Sequence, residues 1–303
     1  MDTPQINPTP YKISTITATG SVNTCVNLDS LFSNIVISED DECNGIVYVE
    51  YGNRKSDTIK KGTAKKKPVN GTTSTPKKRF DNQVTIVYRY NCSKLGKLIN
   101  VNCKIFKNGN VQMTGLRYID QGVDIIDFII SVLKDIYYKT DNDIVGDISL
   151  MTNTNYRIRL INCDFKIGIE LKRDKLYSIV LSKYSTLCTY EPCIYPGVKV
   201  QYWWNKENVL CNGACYCKGK CDGKGCGVGD GECKKITIAV FQSGCIIITG
   251  GQSIEQINDA YDFICLCIKT NIADVYKTSI PLPQVEIRKK KVYIKKSTIR
   301  PIT

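Results

Sequence analysis

The chain has 303 residues, 42 Lys/Arg against 29 Asp/Glu for a formal net charge of +13, 16 cysteines and no histidine. That length can build a sizeable core and two domains, and no apolar run is long enough to span a membrane as a helix. Without histidine, a soft-metal site in a Cys-rich stretch would be ligated by sulfur alone.

Taken in chain order, residues 1–10 are polar and Pro-rich, which predicts a flexible N-terminus without a secretory signal. A first repeat is expected over 11–140, opening on a strand at Tyr11–Thr17. A basic insert at about 53–79 interrupts it. Arg54–Arg79 holds ten Lys/Arg against Asp57, a composition that reads as a loop or linker. Its charge suits phosphate contact, nuclear localisation or simple solvation. A β-rich run at Val101–Phe106 meets a turn at Gly109 and a short strand ending in Thr114-Gly115. A helix follows, with apolar residues at Ile119, Val123, Ile126, Ile130, Leu133 and Tyr137. Steps of three and four make one stripe laid on a sheet.

The second repeat, expected over 141–276, restates this block. IFKNGNVQMTG at 105–115 returns as VFQSGCIIITG at 240–250, an offset of 135 residues. The same offset pairs Ile119, Asp120, Gln121, Asp124, Asp127 and Phe128 with Ile254, Glu255, Gln256, Asp259, Asp262 and Phe263, without a gap. The second helix carries Ile254, Ile257, Tyr261, Ile264 and Ile268, and Ser253 with Gln256 forms a capping box. A Cys-rich insert lies at about 205–234. A basic tail at 277–303, eight Lys/Arg against Glu286, ends the chain and leaves the folded part slightly acidic. The predicted fold is α+β: two tandem pseudo-symmetric repeats, each a curved antiparallel sheet with helices on its convex face.

The strands are apolar on both sides. Ile236, Ile238 and Val240 alternate with Thr237, Ala239 and Phe241, and Ile246 and Ile248 with Ile247 and Thr249. One face belongs under the helix. The other is either covered by a second layer or is a binding surface.

Four aromatic positions bear on that choice. Phe80 closes Pro76-Lys77-Lys78-Arg79-Phe80, and Phe106 and Phe241 close the repeated strands. Tyr195 sits in Tyr190-Glu191-Pro192-Cys193-Ile194-Tyr195-Pro196-Gly197. This pattern resembles the TATA-box-binding protein family, over roughly 11–35, 77–139 and 156–271. The resemblance implies a saddle whose open face lies in the minor groove of promoter DNA, with aromatic wedges that kink the duplex. The family is itself a standard example of both effects. It implies wedge pairs Phe80 with Phe106 and Tyr195 with Phe241, threonines near base edges at Thr114 and Thr249, and a saddle floor at Lys104, Gln112, Ala239 and Ile247. Tyr195 replaces the usual Phe, and Lys104 and Gln112 replace apolar residues. The strands Tyr11–Thr17 and Tyr156–Ile161 offer no asparagine in register with the family's minor-groove readers. A three-residue turn placing Phe106 opposite Gln112 and Lys104 opposite Thr114 is the expected hairpin register. A two-residue turn would place Phe106 opposite Val111.

The resemblance further implies a transcription initiation factor that is monomeric on double-stranded DNA. It would dock a transcription factor IIB-like protein at Glu191 and Ile194 and serve RNA polymerase machinery inside the cell, in a nucleus or a viral replication compartment. The large inserts resemble versions carried by large DNA viruses. The alternative is a regulatory protein that kept the fold and no longer bends DNA. Asp120, Asp124, Asp127 and Asp135 make the first helix acidic where relatives are often basic.

Cys211, Cys215, Cys217, Cys221, Cys226 and Cys233 fall within 23 residues. Their spacing is compatible with zinc, with disulfides or with thiols. The other cysteines, such as Cys103, Cys265 and Cys267, read as core. With no histidine and no C-x₂-C pair, the chain is not expected to be an enzyme.

Overall fold

In the computed structural model the described residues are 5–40, 42–52, 54–55, 82–140, 143–184, 187–207, 210, 212–218, 221, 231 and 233–277. The strands are β1 (Lys12–Ser21), β2 (Gly45–Tyr51), β3 (Arg54–Lys55), β4 (Gln83–Cys92), β5 (Lys97–Phe106), β6 (Asn110–Leu116), β7 (Thr154–Lys166), β8 (Leu187–Glu191), β9 (Tyr195–Trp204), β10 (Lys234–Val240) and β11 (Cys245–Gly251). The helices are α1 (Leu28–Asn34), α2 (Gln121–Lys139), α3 (Arg173–Lys183), α4 (Ile254–Thr270) and α5 (Ile272–Val275).

All eleven strands form one sheet in the order β3-β2-β4-β5-β6-β1-β7-β11-β10-β9-β8, and every pairing is antiparallel. Apart from the short β3, the order reads the same outward in both directions from the central β1–β7 pair. The expected α+β architecture of a helix-backed antiparallel sheet forms.

The duplication extends to single hydrogen bonds. The hairpin ends clamp the exits of the central strands: Val22 N–H donates to Gly109 O and Ile167 N–H to Gly244 O, each at 2.9 Å. The buried Gln121 and Gln256 accept at Oε1 from the backbone N–H of Arg117 (2.7 Å) and Gln252 (2.8 Å). In both halves this follows a glycine with φ near +105°, where the Thr-Gly strand end bends into the helix. A side chain is strained there, and a Cβ would lie 3.1 Å from Asn100 O at Gly115 and 2.9 Å from Lys235 O at Gly250. Tyr88 stacks on Phe128 at 4.0 Å, and Tyr202 meets Phe263 at 5.1 Å. Tyr90 Oη–H donates to Asp124 (3.1 Å) and Trp204 Nε1–H to Asp259 (2.7 Å). The halves also interlock. Tyr11, just before β1, reaches α4 through Asn258 at 2.6 Å, and Tyr156 on β7 donates to Ile119 O just before α2.

Three expectations are corrected. The stripe of α2 is rotated: Ile125, Ile126, Ile129, Ile130, Leu133 and Ile136 are buried, whereas Ile119 and Val123 are exposed. An isoleucine-rich helix offers two stripes with steps of three and four, and the sheet selects the fuller one. The Ser253 hydroxyl accepts from Gln256 N–H at 3.2 Å as a capping box requires, but Gln256 reaches back one residue further, to Gln252 N–H.

The hairpin register is neither of the two considered. Lys104 faces Gln112 and Asn102 faces Thr114. In the second half Ala239 faces Ile247 and Thr237 faces Thr249. Gly109 N–H donates to Phe106 O at 2.9 Å, Gly244 N–H to Phe241 O at 3.0 Å, and both glycines have positive φ, 79° and 74°. This is a β-turn closed by a glycine in the left-handed region, the usual three-residue hairpin. The register therefore differs by two residues from the one expected. A shift of two preserves faces, so Lys104, Phe106, Gln112 and Thr114 still share one side.

Candidate nucleic-acid interface

Burial separates the two sides of the sheet. Val84, Ile86, Cys103, Ile105, Val111, Met113, Ile161, Cys163, Val198, Val200, Ile236, Ile238, Ile246 and Ile248 are all nearly inaccessible and form the core with the helices. The alternating residues face the other way. Across the paired strands from β4 to β9 this open face runs through Gln83, Thr85, Asn102, Lys104, Phe106, Gln112, Thr114, Thr15, Thr17, Thr19, Asn162, Asp164, Ile247, Thr249, Thr237, Ala239, Lys199 and Gln201. Of the site residues expected on the repeated strands, all but Phe241, which follows β10, lie in these rows, and the small Ala239 is only 4% exposed there. Phe80, the fourth wedge position, lies outside the described residues.

The second end of the face is fully described. Tyr195 and Phe241 meet edge-to-face with centroids 5.7 Å apart, a favoured geometry for aromatic rings. Lys199 Nζ lies 4.1 Å from the Tyr195 centroid, a cation over the ring face. Gly197 sits beneath both rings. A Cβ there would come 2.8 Å from Tyr195 Cε1 and 3.2 Å from Phe241 Cε1, so glycine is what lets the rings rest against the strand. At the first end Gln83 faces Phe106 across the β4–β5 pair.

The centre holds a residue missed in the sequence. Asn162 lies between Thr15 on β1 and Thr249 on β11. Its Oδ1 is buried and has no hydrogen-bond partner among the described residues. Strand β7 continues past Ile161 to Lys166, and the alternation of Asn162 and Asp164 with Cys163 and Phe165 was the signal for it. Bulges at Ser14 and near Arg159 shift the register on each central strand. The bulged carbonyls are capped from the Thr-Gly exits: Arg117 donates to Ser14 O and Gln252 Nε2–H to Arg159 O at 3.4 Å. Arg159 Nε–H reaches Thr19 Oγ1 at 2.8 Å.

Electrostatically the face is mixed. Lys104, Arg157, Arg159, Lys166, Lys199 and Lys235 are set against Asp164. Three of the four acids at the start of α2 and along it are engaged on the other side of the sheet: Asp120 pairs with Lys94 at 3.0 Å, Asp124 accepts from Tyr90, and Asp127 accepts from Asn153 at 3.0 Å. Glu191 and Ile194 lie at the β8–β9 turn, where Ile194 is 81% exposed.

Four cysteines of the insert converge. The sulfurs of Cys215, Cys217, Cys221 and Cys233 all lie within 4.8 Å of one another. Cys211 and Cys226 lie outside the described residues. Of the cysteines read as core, Cys103 and Cys267 are buried and Cys265 is half-buried. Burial pushes the Cys103 thiol up to about 12 and the Cys267 thiol up to about 11, which keeps both protonated and inert. No helix among the described residues is long and apolar enough to cross a membrane.

Residues 155–270 match the family model described as transcription factor TFIID (or TATA-binding protein, TBP). A TATA-box-binding protein-like protein of Acanthamoeba polyphaga mimivirus is 34% identical over 267 residues, covering 84% of this chain. The chain spans 63% of the length of that relative. The solved TBP of Methanococcus jannaschii aligns over 86% of this chain and 99% of its own at 19% identity, with a TM-score of 0.46. The chain carries a TBP-family domain in its second half and is related over most of its length to a viral TATA-box-binding protein-like protein.

Proposed function

We propose that the open face binds A·T-rich promoter DNA through the minor groove and bends it, as a transcription initiation factor. The observation that carries this reading is the Tyr195–Phe241 pair seated on Gly197 at one end of the sheet face opposite the helices. Wedging a base step open costs a few kcal/mol, which the wrapped groove offsets by covering more apolar surface. Phe106, with Phe80, fills the same role at the other end. The floor at Lys104, Gln112, Ala239 and Ile247 lines the groove, and Thr114, Thr249 and Asn162 stand where base edges pass. The minor groove presents mainly acceptors and distinguishes A·T from G·C. The Asn162 amide carries two N–H donors that suit those acceptors. The reading includes repeats at 11–140 and 141–276, with the basic insert and tail adding phosphate contacts.

The β8–β9 turn, with Ile194 exposed beside Glu191, fits a transcription factor IIB-like partner that recruits a polymerase. For the Cys-rich insert we propose zinc.

Gel-shift analysis on circularly permuted A·T-rich duplexes tests the DNA reading. Wild type is expected to bind and bend, and Phe106→Ala with Phe241→Ala to abolish the bend. Unchanged bending by the double variant overturns the wedge mechanism. Binding without any bend by wild type favours the alternative of a regulatory protein, which Lys104 and Gln112 on the floor would suit.

A further inference from the structure

The four-cysteine cluster joins parts of the chain that the sheet alone leaves apart. Cys215, Cys217 and Cys221 belong to the insert that follows β9, and Cys233 immediately precedes β10. Cys221 Sγ lies 3.4 Å from Cys215 Sγ and 3.0 Å from Cys233 Sγ. Tetrahedral zinc with Zn–S near 2.3 Å spaces its sulfurs about 3.8 Å apart, within the range this cluster spans. A disulfide would draw two sulfurs to about 2.05 Å, whereas Cys221 lies within 3.4 Å of two sulfurs at once and all four stay within 4.8 Å of one another. Asn205 Nδ2–H donates to Cys217 Sγ at 3.0 Å. Such outer donors orient thiolate ligands and spread their charge.

The insert is also attached to the sheet. Trp203 N–H donates to Gly213 O at 2.9 Å, beyond the Leu187–Gln201 pair at which β8 begins. The insert thus continues the edge that β8 leaves open, where an unpaired strand would otherwise expose its backbone. Trp203 stands in the open-face row of Lys199 and Gln201, and opposite Lys235, yet it is only 6% exposed; Cys221 and Cys233 are at 1% and 0%.

We propose that Cys215, Cys217, Cys221 and Cys233 form a tetrathiolate zinc site that clamps the insert over the ends of β9 and β10 and buries Trp203, fixing the last row of the open face. This rests on the zinc reading of the insert and is independent of the DNA reading. Zinc in such a site is structural: all four positions are protein sulfurs and none is left open for a reactant.

The test uses the full chain purified under reducing conditions, with zinc and cobalt as the probes. One zinc per chain is expected, and Co²⁺ in its place should give the intense visible bands of tetrahedral thiolate coordination. Cys221→Ser should weaken metal binding at least tenfold, and Cys25→Ser, exposed and remote, should leave it unchanged. Both tryptophans of the chain adjoin the insert, so stripping zinc with a chelator should shift tryptophan emission to the red, and restoring zinc should reverse it. Absence of bound zinc, or a Cys221→Ser chain that binds as wild type does, overturns the metal site. Zinc present but tryptophan emission indifferent to its removal overturns the clamp alone. If Cys221→Ser fails to fold, chelator titration of the wild-type chain followed by both signals decides the same questions.

Discussion

Gly197→Ala perturbs the aromatic pair without removing either ring. The added methyl would lie 2.8 Å from Tyr195 Cε1 and 3.2–3.3 Å from Phe241 Cε1 and Cζ. Carbon atoms settle at about 3.5–4.0 Å, so the Tyr195 ring must retreat by roughly 0.7 Å or more and the Phe241 ring by roughly 0.3 Å. In a closed core such overpacking costs about 1–3 kcal/mol. Here both rings are half-exposed and can swing outward, so the loss of folding stability belongs at or below the bottom of that range. The wedge is affected more, because a ring that has left the strand no longer meets the base step in the same pose. A loss of about 1.4 kcal/mol in binding is tenfold in affinity. Urea unfolding and gel-shift titration, run side by side, should show a nearly unchanged midpoint with DNA binding weakened about tenfold and a smaller bend. Unchanged affinity and bend at an unchanged midpoint would refute the assignment of Gly197 as the seat of the wedge.

Gln121→Ala and Gln256→Ala each strand a backbone N–H at the Thr-Gly exit. Each should cost about 1–3 kcal/mol in urea unfolding, and because the sites are separate their effects should add within about 0.5 kcal/mol; a neutral variant would show that water replaces the glutamine. Trp204→Phe removes the bond to Asp259 and should lower stability by about 1–2 kcal/mol, with Asp259→Ala costing no more in the Trp204→Phe background than the packing it loses. The buried Cys103 thiol is pushed from 9.0 to about 12. The unfolded chain releases that proton first, so stability is whole below pH 9 and falls as pH rises toward 12. Thermal melts in reductant from pH 7 to 11 should show the decline, and Cys103→Ala should make it shallower without abolishing it, because Cys163, Cys188 and Cys267 are raised too; a wild-type melting temperature constant to pH 11 contradicts the assignment. Asn162→Ala relieves a buried unpartnered oxygen and should not destabilise the fold, while it should weaken discrimination of A·T from G·C sites.

The repeat made much of this legible. Two glycine turns, two Thr-Gly exits and two helices at one offset specify the paired hairpins, and the alternation along Ile236–Phe241 and Ile246–Thr249 assigns their faces. What escaped were contacts between elements distant in sequence. Nothing local to Gln121 or Gln256 says that the side chain turns back to a strand exit, and nothing in Trp204 points to Asp259, 55 residues on. The three-residue turn formed as expected, but the pairing drawn from it was wrong: with 107–109 in the turn, Ile105 faces Val111 and Lys104 faces Gln112, two residues away from the register expected. Asn162 was missed because β7 was ended too early, at Ile161, just before the alternation that reveals it. The cysteines show the same limit from the other side: their density announced a site, but only folding separates the set that converges from the buried thiols elsewhere.

Comparison of the two halves separates scaffold from surface. Positions that satisfy backbone or fill the core are chemically the same or close in both: Gly109 and Gly244, Gly115 and Gly250, Gln121 and Gln256, Tyr88 with Phe128 and Tyr202 with Phe263. On the open face the wedge and threonine positions are kept, Phe106 with Phe241 and Thr114 with Thr249, but the rest of the floor differs: Lys104 against Ala239, Gln112 against Ile247, Asn102 against Thr237, Thr17 against Asn162. Burial constrains the first group identically in each half, because the same helix covers the same strands. The open face has no such internal constraint, so its chemistry answers to whatever lies against it. A polar first half beside an apolar second half presents two unlike surfaces to one ligand. A duplex in that groove would meet desolvating contact over Ala239 and Ile247 and hydrogen-bonding, cationic contact over Lys104 and Gln112. The two ends of the site are therefore not interchangeable, and the near-symmetry of the fold does not extend to what it holds.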